Sequence, residues 1–181
     1  MLPSLASDYF QFFGLPPKLN LDPDELQRRF YELSKLLHPD RYQRKSTEEK
    51  RYSEEATALL NDAYRVLKDP LQRAEYVLKQ AGFEIGEQRS KDVPPELLEE
   101  VFELNMALEE MREGDSSARP QLEQARDKFH AMRDEIDARL KNLFVLYDAA
   151  PERERLGEIR SVLNRRRYIR NLVNDVEKEL Q

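Results

Sequence analysis

Apolar residues in this chain return every three or four positions, in blocks closed by proline and glycine, and that pattern admits little besides α-helix. Asp8 to Phe13 reads as a short aromatic helix, ended by Gly14-Leu15-Pro16-Pro17. Asp22-Pro23-Asp24-Glu25 opens a stronger one, with Asp22 as cap, Pro23 in the first helical position and Glu25 completing a capping box. Leu26, Phe30, Leu33 and Leu37 form its apolar stripe. It must end near His38, because Pro39 disfavours helical geometry at the residue before it. A polar loop, Asp40 to Lys45, leads to a second capping box, Ser46 with Glu49. The helix that follows carries Tyr52, Ala56, Leu59, Leu60, Ala63, Tyr64 and Leu67 inward. Asp69-Pro70 breaks it, and a short helix from Leu71 to Gln80 stops near Gly82.

Residues 83–93 read as a linker, with Gly86, Ser90 and mixed charges. Pro94-Pro95 begins a helix with the stripe Leu97, Val101, Leu104, Leu108 and Met111. A turn at Gly114-Asp115-Ser116-Ser117 and Pro120 introduce a long helix through Ala125, Phe129, Met132, Ile136, Leu140, Leu143 and Tyr147. After Pro151 the last helix places Leu156, Ile159, Val162, Ile169, Val173, Val176 and Leu180 on one side. The expected fold class is all-α: a helical domain over residues 1–82, a linker over 83–93, and a three-helix bundle over 94–181.

Charge and composition narrow the partners. Asp and Glu number 36 against 30 Lys and Arg, a net charge of −6, which disfavours nucleic acid and anionic membrane surfaces. With no cysteine there is no disulfide and no thiolate site for a cluster or zinc. His130 is a lone helix histidine, so no metal is expected. Met1 to Asp8 has no basic, then apolar, leader pattern, and no stretch approaches the roughly 20 apolar residues of a spanning helix. The expectation is a soluble cytoplasmic chain. No nucleophilic triad or phosphate-binding loop is visible, so neither an enzyme nor a cofactor is expected. Arg165-Arg166-Arg167 reads as a solvated helix face paired with nearby Glu.

The informative tripeptide is His38-Pro39-Asp40, in the turn between two amphipathic helices. The first of these carries Arg28, Arg29 and Lys35, with Arg28 about 200° round from Leu26 and so facing solvent. Arg41, Arg44 and Lys45 extend the positive charge. This arrangement resembles the J domain, whose helical hairpin, flanked by short helices, presents His-Pro-Asp to a DnaK-type chaperone and stimulates its ATPase. The resemblance implies a chaperone-binding set of His38, Pro39, Asp40, Arg28, Arg29, Lys35 and Arg41. Pro39 would stiffen the turn, Asp40 would meet an arginine on the partner, and the basic face would steer docking.

Two further segments are more specific. Asp8-Tyr9-Phe10-Gln11-Phe12-Phe13-Gly14-Leu15-Pro16 is similar to the opening of HscB proteins. Asn61-Asp62-Ala63-Tyr64, with Leu67-Lys68-Asp69-Pro70-Leu71-Gln72-Arg73-Ala74-Glu75-Tyr76-Val77-Leu78, resembles the segment that closes their J domain. The plan of J domain, linker and acidic C-terminal bundle matches as well, and without a Cys-rich extension the chain resembles a bacterial-type member. No Gly/Phe-rich stretch or zinc module suggests a general J protein, which stays the alternative. The family implies two partners, the ATPase chaperone HscA and the iron–sulfur scaffold IscU.

The scaffold's place is read from apolar residues beside the core stripes. Leu98 and Phe102 flank the seam of the first bundle helix, amid Glu99, Glu103 and Asn105. Tyr168 and Leu172 flank that of the last. An apolar patch of Leu98, Phe102 and Tyr168 with a polar rim has the make-up of a protein-binding hot spot. The family's contact positions align with these three. Phe102 stands for a usual aliphatic residue and Met106 for a usual acidic one.

Overall fold

The computed structural model describes residues 1–85 and 93–181, so Gly86 and Ser90 of the expected linker lie outside the described residues. The chain divides into two compact units, Met1–Glu84 and Ile85–Gln181. Among the described residues every regular element is helical, in keeping with the all-α expectation.

The first unit holds α1 (Tyr9–Phe13), α2 (Pro23–Leu37), α3 (Thr47–Leu67) and α4 (Pro70–Gln80). Asp8 and Gln11 close a capping box on α1, and Gly14 ends it in the left-handed conformation, φ 66°. A Cβ at Gly14 would meet only Arg29 Nη1, at an ordinary 3.4 Å, so it is the left-handed turn that calls for glycine here. Ser46 and Glu49 form the expected box on α3. Asp22 does cap α2, but its carboxylate accepts from the Asp24 amide rather than from the third helical residue. Glu25 is therefore not recruited to a box; its carboxylate lies 4.0 Å from Arg28. α2 and α3 pair as an antiparallel hairpin around Leu26, Leu37, Ala56, Leu60, Ala63 and Leu67, all buried. Phe30 is only half-buried and stacks on Tyr64 with ring centroids 4.2 Å apart.

Two clasps tie the ends of this unit. Tyr76 stacks on Tyr9 at 4.4 Å, and its hydroxyl accepts the Tyr9 amide at 3.0 Å. The buried guanidinium of Arg73 donates from Nε to the Leu19 carbonyl at 2.7 Å and from Nη1 to that of Leu67. A buried charge needs several such partners to offset lost hydration.

The second unit begins with a 3-10 turn, Pro95–Leu97, then α5 (Leu98–Arg112), α6 (Arg119–Ala149) and α7 (Arg153–Leu180). At 1.5 Å per residue α6 is about 46 Å long and α5 only about 22 Å. Arg119 Nη2 donates to the Leu180 carbonyl, and His130 lies 3.3 Å from Glu177, so α6 and α7 run antiparallel along their length. α5 lies beside one end, held by Glu100–Lys128 at 3.2 Å and Arg112–Glu179 at 3.3 Å. Leu104, Leu122, Phe129, Ile169, Val173 and Val176 are buried in the three-helix part. Leu140, Phe144, Leu156 and Ile159 continue the core beyond it. Each such side chain contributes about 1.5–3 kcal/mol by leaving water.

Candidate functional site

The tripeptide His38-Pro39-Asp40 occupies the turn that joins α2 to α3. His38 has φ −57° and ψ 131°, the extended geometry a following proline favours. Residues Pro39–Tyr42 form a tight 3-10 turn where the sequence suggested only a polar loop. A helix-starting proline and the cap before it account for that. His38 Nδ1 accepts the Asp40 amide at 3.2 Å, and the same nitrogen lies 3.6 Å from Asp40 Oδ2. The Asp40 side chain is 76% exposed and that of His38 58%. Gln43 Nε2 reaches Asp40 Oδ1 at 3.5 Å, a long bond that leaves the carboxylate open to a stronger donor.

The basic residues divide by environment. Arg28, Lys35, Arg41, Arg44 and Lys45 are exposed. Arg28 is 3.2 Å from Glu32, a surface pair that holds it weakly. Arg41 turns back, donating from Nη1 to the Lys35 carbonyl at 3.3 Å. Arg29 differs from the rest. It is half-buried, with its Nε enclosed and lacking a hydrogen-bond partner, and it packs toward Gly14. Beside the tripeptide, Tyr31, Ser34, Lys35, His38 and Arg41 line an open groove. Tyr31 is 55% exposed and was not singled out in the sequence, because it falls outside the α2 stripe.

The second candidate surface lies along α5 and α7. Leu98 is 56% exposed, Phe102 65% and Met106 50%, a ridge at four-residue intervals on a regular helix. Their exposure follows from angle. At 100° per residue they stand about 100° to 180° from Leu97, whereas Val101, Leu104 and Leu108 stay within about 40° of it. Arg112, which meets Glu179 of α7, marks the α7 side of α5 at about 60°. Leu98 and Asn105 sit next on that side, then Phe102, with Met106 outermost. Exposed Glu99 and Glu103 rim the ridge toward α6, where Glu103 and Met106 also edge a groove floored by Phe129.

On α7, Arg165 meets Glu96 at 3.0 Å and Glu179 meets Arg112, which defines the α5-facing flank. Leu172 and Tyr168 fall on that flank, and the two ion pairs bring Tyr168 level with Leu98 and Phe102. Tyr168 is half-exposed, and partial burial raises its phenol above the ordinary range. Leu172 is only 9% exposed, so it belongs to the seam rather than beside it. The tripeptide and the α5–α7 ridge belong to different units. His130 pairs with Glu177, and no group of metal-ligating side chains occurs among the described residues. No described helix is long and apolar enough to cross a membrane.

Comparison with known proteins follows this division. Residues 8–76 match the DnaJ domain and residues 93–177 the HSCB C-terminal oligomerisation domain. The chain is 34% identical over 175 residues to the co-chaperone protein HscB homolog of Vibrio vulnificus, covering 94% of this chain and 95% of that one. It is 30% identical over 175 residues to the human iron-sulfur cluster co-chaperone protein HscB, covering 97% of this chain and 69% of the human one. Among solved structures it resembles chaperone HscB from Vibrio cholerae, with TM-score 0.63 and 30% identity over 95% of this chain and 96% of the other. It also resembles the human HscB crystal structure, with TM-score 0.69 and 28% identity over 98% and 84%. With both domain types matched in order and relatives aligned over nearly its whole length, this chain belongs to the HscB family of J-domain co-chaperones.

Proposed function

We propose that this chain is a co-chaperone of iron–sulfur cluster biogenesis that carries a scaffold protein, IscU, to a DnaK-type ATPase chaperone, HscA, and stimulates that ATPase. The observation that carries the reading is the exposed carboxylate of Asp40 at the tip of a basic-faced helical hairpin. His38, Pro39 and Asp40 present the stimulating group, while Arg28, Lys35 and Arg41 steer an acidic surface toward it. Arg29, packed toward Gly14, supports the α2 face more than it offers charge. Leu98, Phe102 and Tyr168 take the scaffold, with Glu99, Glu103 and Asn105 as its polar rim. Holding scaffold and ATPase together raises the local concentration of one at the other's peptide site. The energy comes from ATP on the partner. The cluster is cargo, and the chain makes and breaks no bonds itself.

The test is a steady-state ATPase assay of the cognate chaperone with this protein, with and without the scaffold. Stimulation by the protein alone, increased further by scaffold, is the expected result. No stimulation in either case refutes the proposal.

A further inference from the structure

Pro39 creates a local deficit in α2. The carbonyl of Lys35 would take its helical hydrogen bond from the amide of residue 39, and proline has none. The amide of Arg41, which would continue the ladder to Leu37, donates instead to His38 at 3.0 Å. The Lys35 and Leu37 carbonyls are met by side chains. Arg41 Nη1 takes that of Lys35 at 3.3 Å. Ser53 Oγ takes that of Leu37 at 2.7 Å, joined by Thr57 Oγ1 at 3.3 Å. Ser53 is 0% exposed. Ser53 and Thr57 stand four residues apart on α3, so one face of that helix supplies both hydroxyls.

We infer that Ser53, seconded by Thr57, is a positioning residue for His38-Pro39-Asp40: its hydrogen bond from α3 fixes the peptide that leads into the tripeptide, and so the direction in which Asp40 projects. The inference rests on the ATPase-stimulating role proposed above. Because Ser53 is fully enclosed, it cannot touch a partner. Any effect of its loss on the ATPase is therefore indirect, and exchange at the turn amides tells whether it runs through the turn.

The test compares the intact wild-type chain with Ser53→Ala, Thr57→Val and Thr57→Ser, well below their melting temperatures. Removing the shorter, fully buried donor from the Leu37 carbonyl, with only Thr57 Oγ1 at 3.3 Å remaining, shifts such an equilibrium by roughly tenfold. Ser53→Ala should therefore need roughly ten times more protein for half-maximal ATPase stimulation, with unchanged scaffold affinity. Thr57→Val should show a smaller loss that Thr57→Ser restores. In the free protein, amide hydrogen exchange at Asp40 and Arg41 should accelerate by a similar factor in Ser53→Ala. Unchanged exchange at these two amides overturns the inference, even if the wild-type chain proves not to stimulate any ATPase. Normal stimulation by a fully folded Ser53→Ala overturns it as well. A wild-type chain without stimulation, but with accelerated exchange in the variant, refutes the functional role and leaves the positioning of the turn supported.

Discussion

The two units make their surfaces in opposite ways. In the first, the proposed working element is an interruption: a proline halts α2, and polar side chains from the turn and α3 rebuild hydrogen bonds around it. In the second, the working element is continuity. α5 runs unbroken, and its ridge of Leu98, Phe102 and Met106 is exposed only because the helix is turned with its other side inward. A polar turn fixes direction through bonds of defined length and angle. An apolar ridge contributes area, tolerates small shifts and gains most when a partner removes it from water.

That contrast can be broken at several points. The largest effect is expected at the polar tip, where Asp40→Asn should abolish ATPase stimulation while leaving scaffold affinity and melting temperature unchanged. Retained stimulation would mean the carboxylate charge is not what the chaperone reads. Next comes Leu172→Ala, which removes a seam side chain from between α5 and α7. It should cost about 2–3 kcal/mol of stability, measured by denaturant unfolding. A smaller cost, below about 1 kcal/mol, would return Leu172 to the surface patch. Third, Leu98→Ala combined with Phe102→Ala should weaken scaffold binding about ten- to thirtyfold by calorimetry. Because both residues are exposed, the melting temperature and scaffold-free stimulation should hold. Normal scaffold affinity in that double variant would remove the ridge as a client site.

The smallest effect concerns acid, and both units share it. Glu49 is held below its ordinary value of 4.5 by hydrogen bonds from the Ser46 backbone and hydroxyl. Glu100 and Asp115 are lowered too, chiefly through hydrogen bonds to Glu100's own backbone and Lys128, and to Ser117, respectively. A carboxylate lowered by folding stabilises the fold above its unfolded pKa, and that contribution is lost as pH falls through the folded value. Stability should therefore be flat above about pH 5 and decline gently below pH 4.5. Glu49→Gln should flatten the decline slightly, as followed by thermal melts. A decline already present between pH 7 and 5 would point to other groups.

Much of this was legible in the sequence, because its devices are local. Pro23, Pro39, Pro70 and Pro120 mark helix boundaries through missing amides, and Ser46-x-x-Glu49 signals its own capping box. The ridge at Leu98 and Phe102 could be found by angle alone. Asp22 was legible as a cap, but its choice of the Asp24 amide over a reciprocal box with Glu25 depends on turn geometry that letters do not carry. Leu172 was misplaced for a physical reason. A middle helix's partner such as α7 packs on two neighbours, so its buried stripe is wider than one seam. Ser53 and Thr57 were missed because their bonds cross between helices, 16 and 20 residues away in sequence. Two hydroxyls on an otherwise apolar face were the available sign.

Arg73 makes its clasp indifferent to acidity where another cation would not. A guanidinium keeps its proton throughout the range in which proteins stay folded, whereas a buried lysine sheds its own readily. The Leu19 and Leu67 carbonyls thus remain fastened to a permanent charge. Replacing Arg73 with lysine would turn a fixed rivet into one that loosens as the medium grows alkaline.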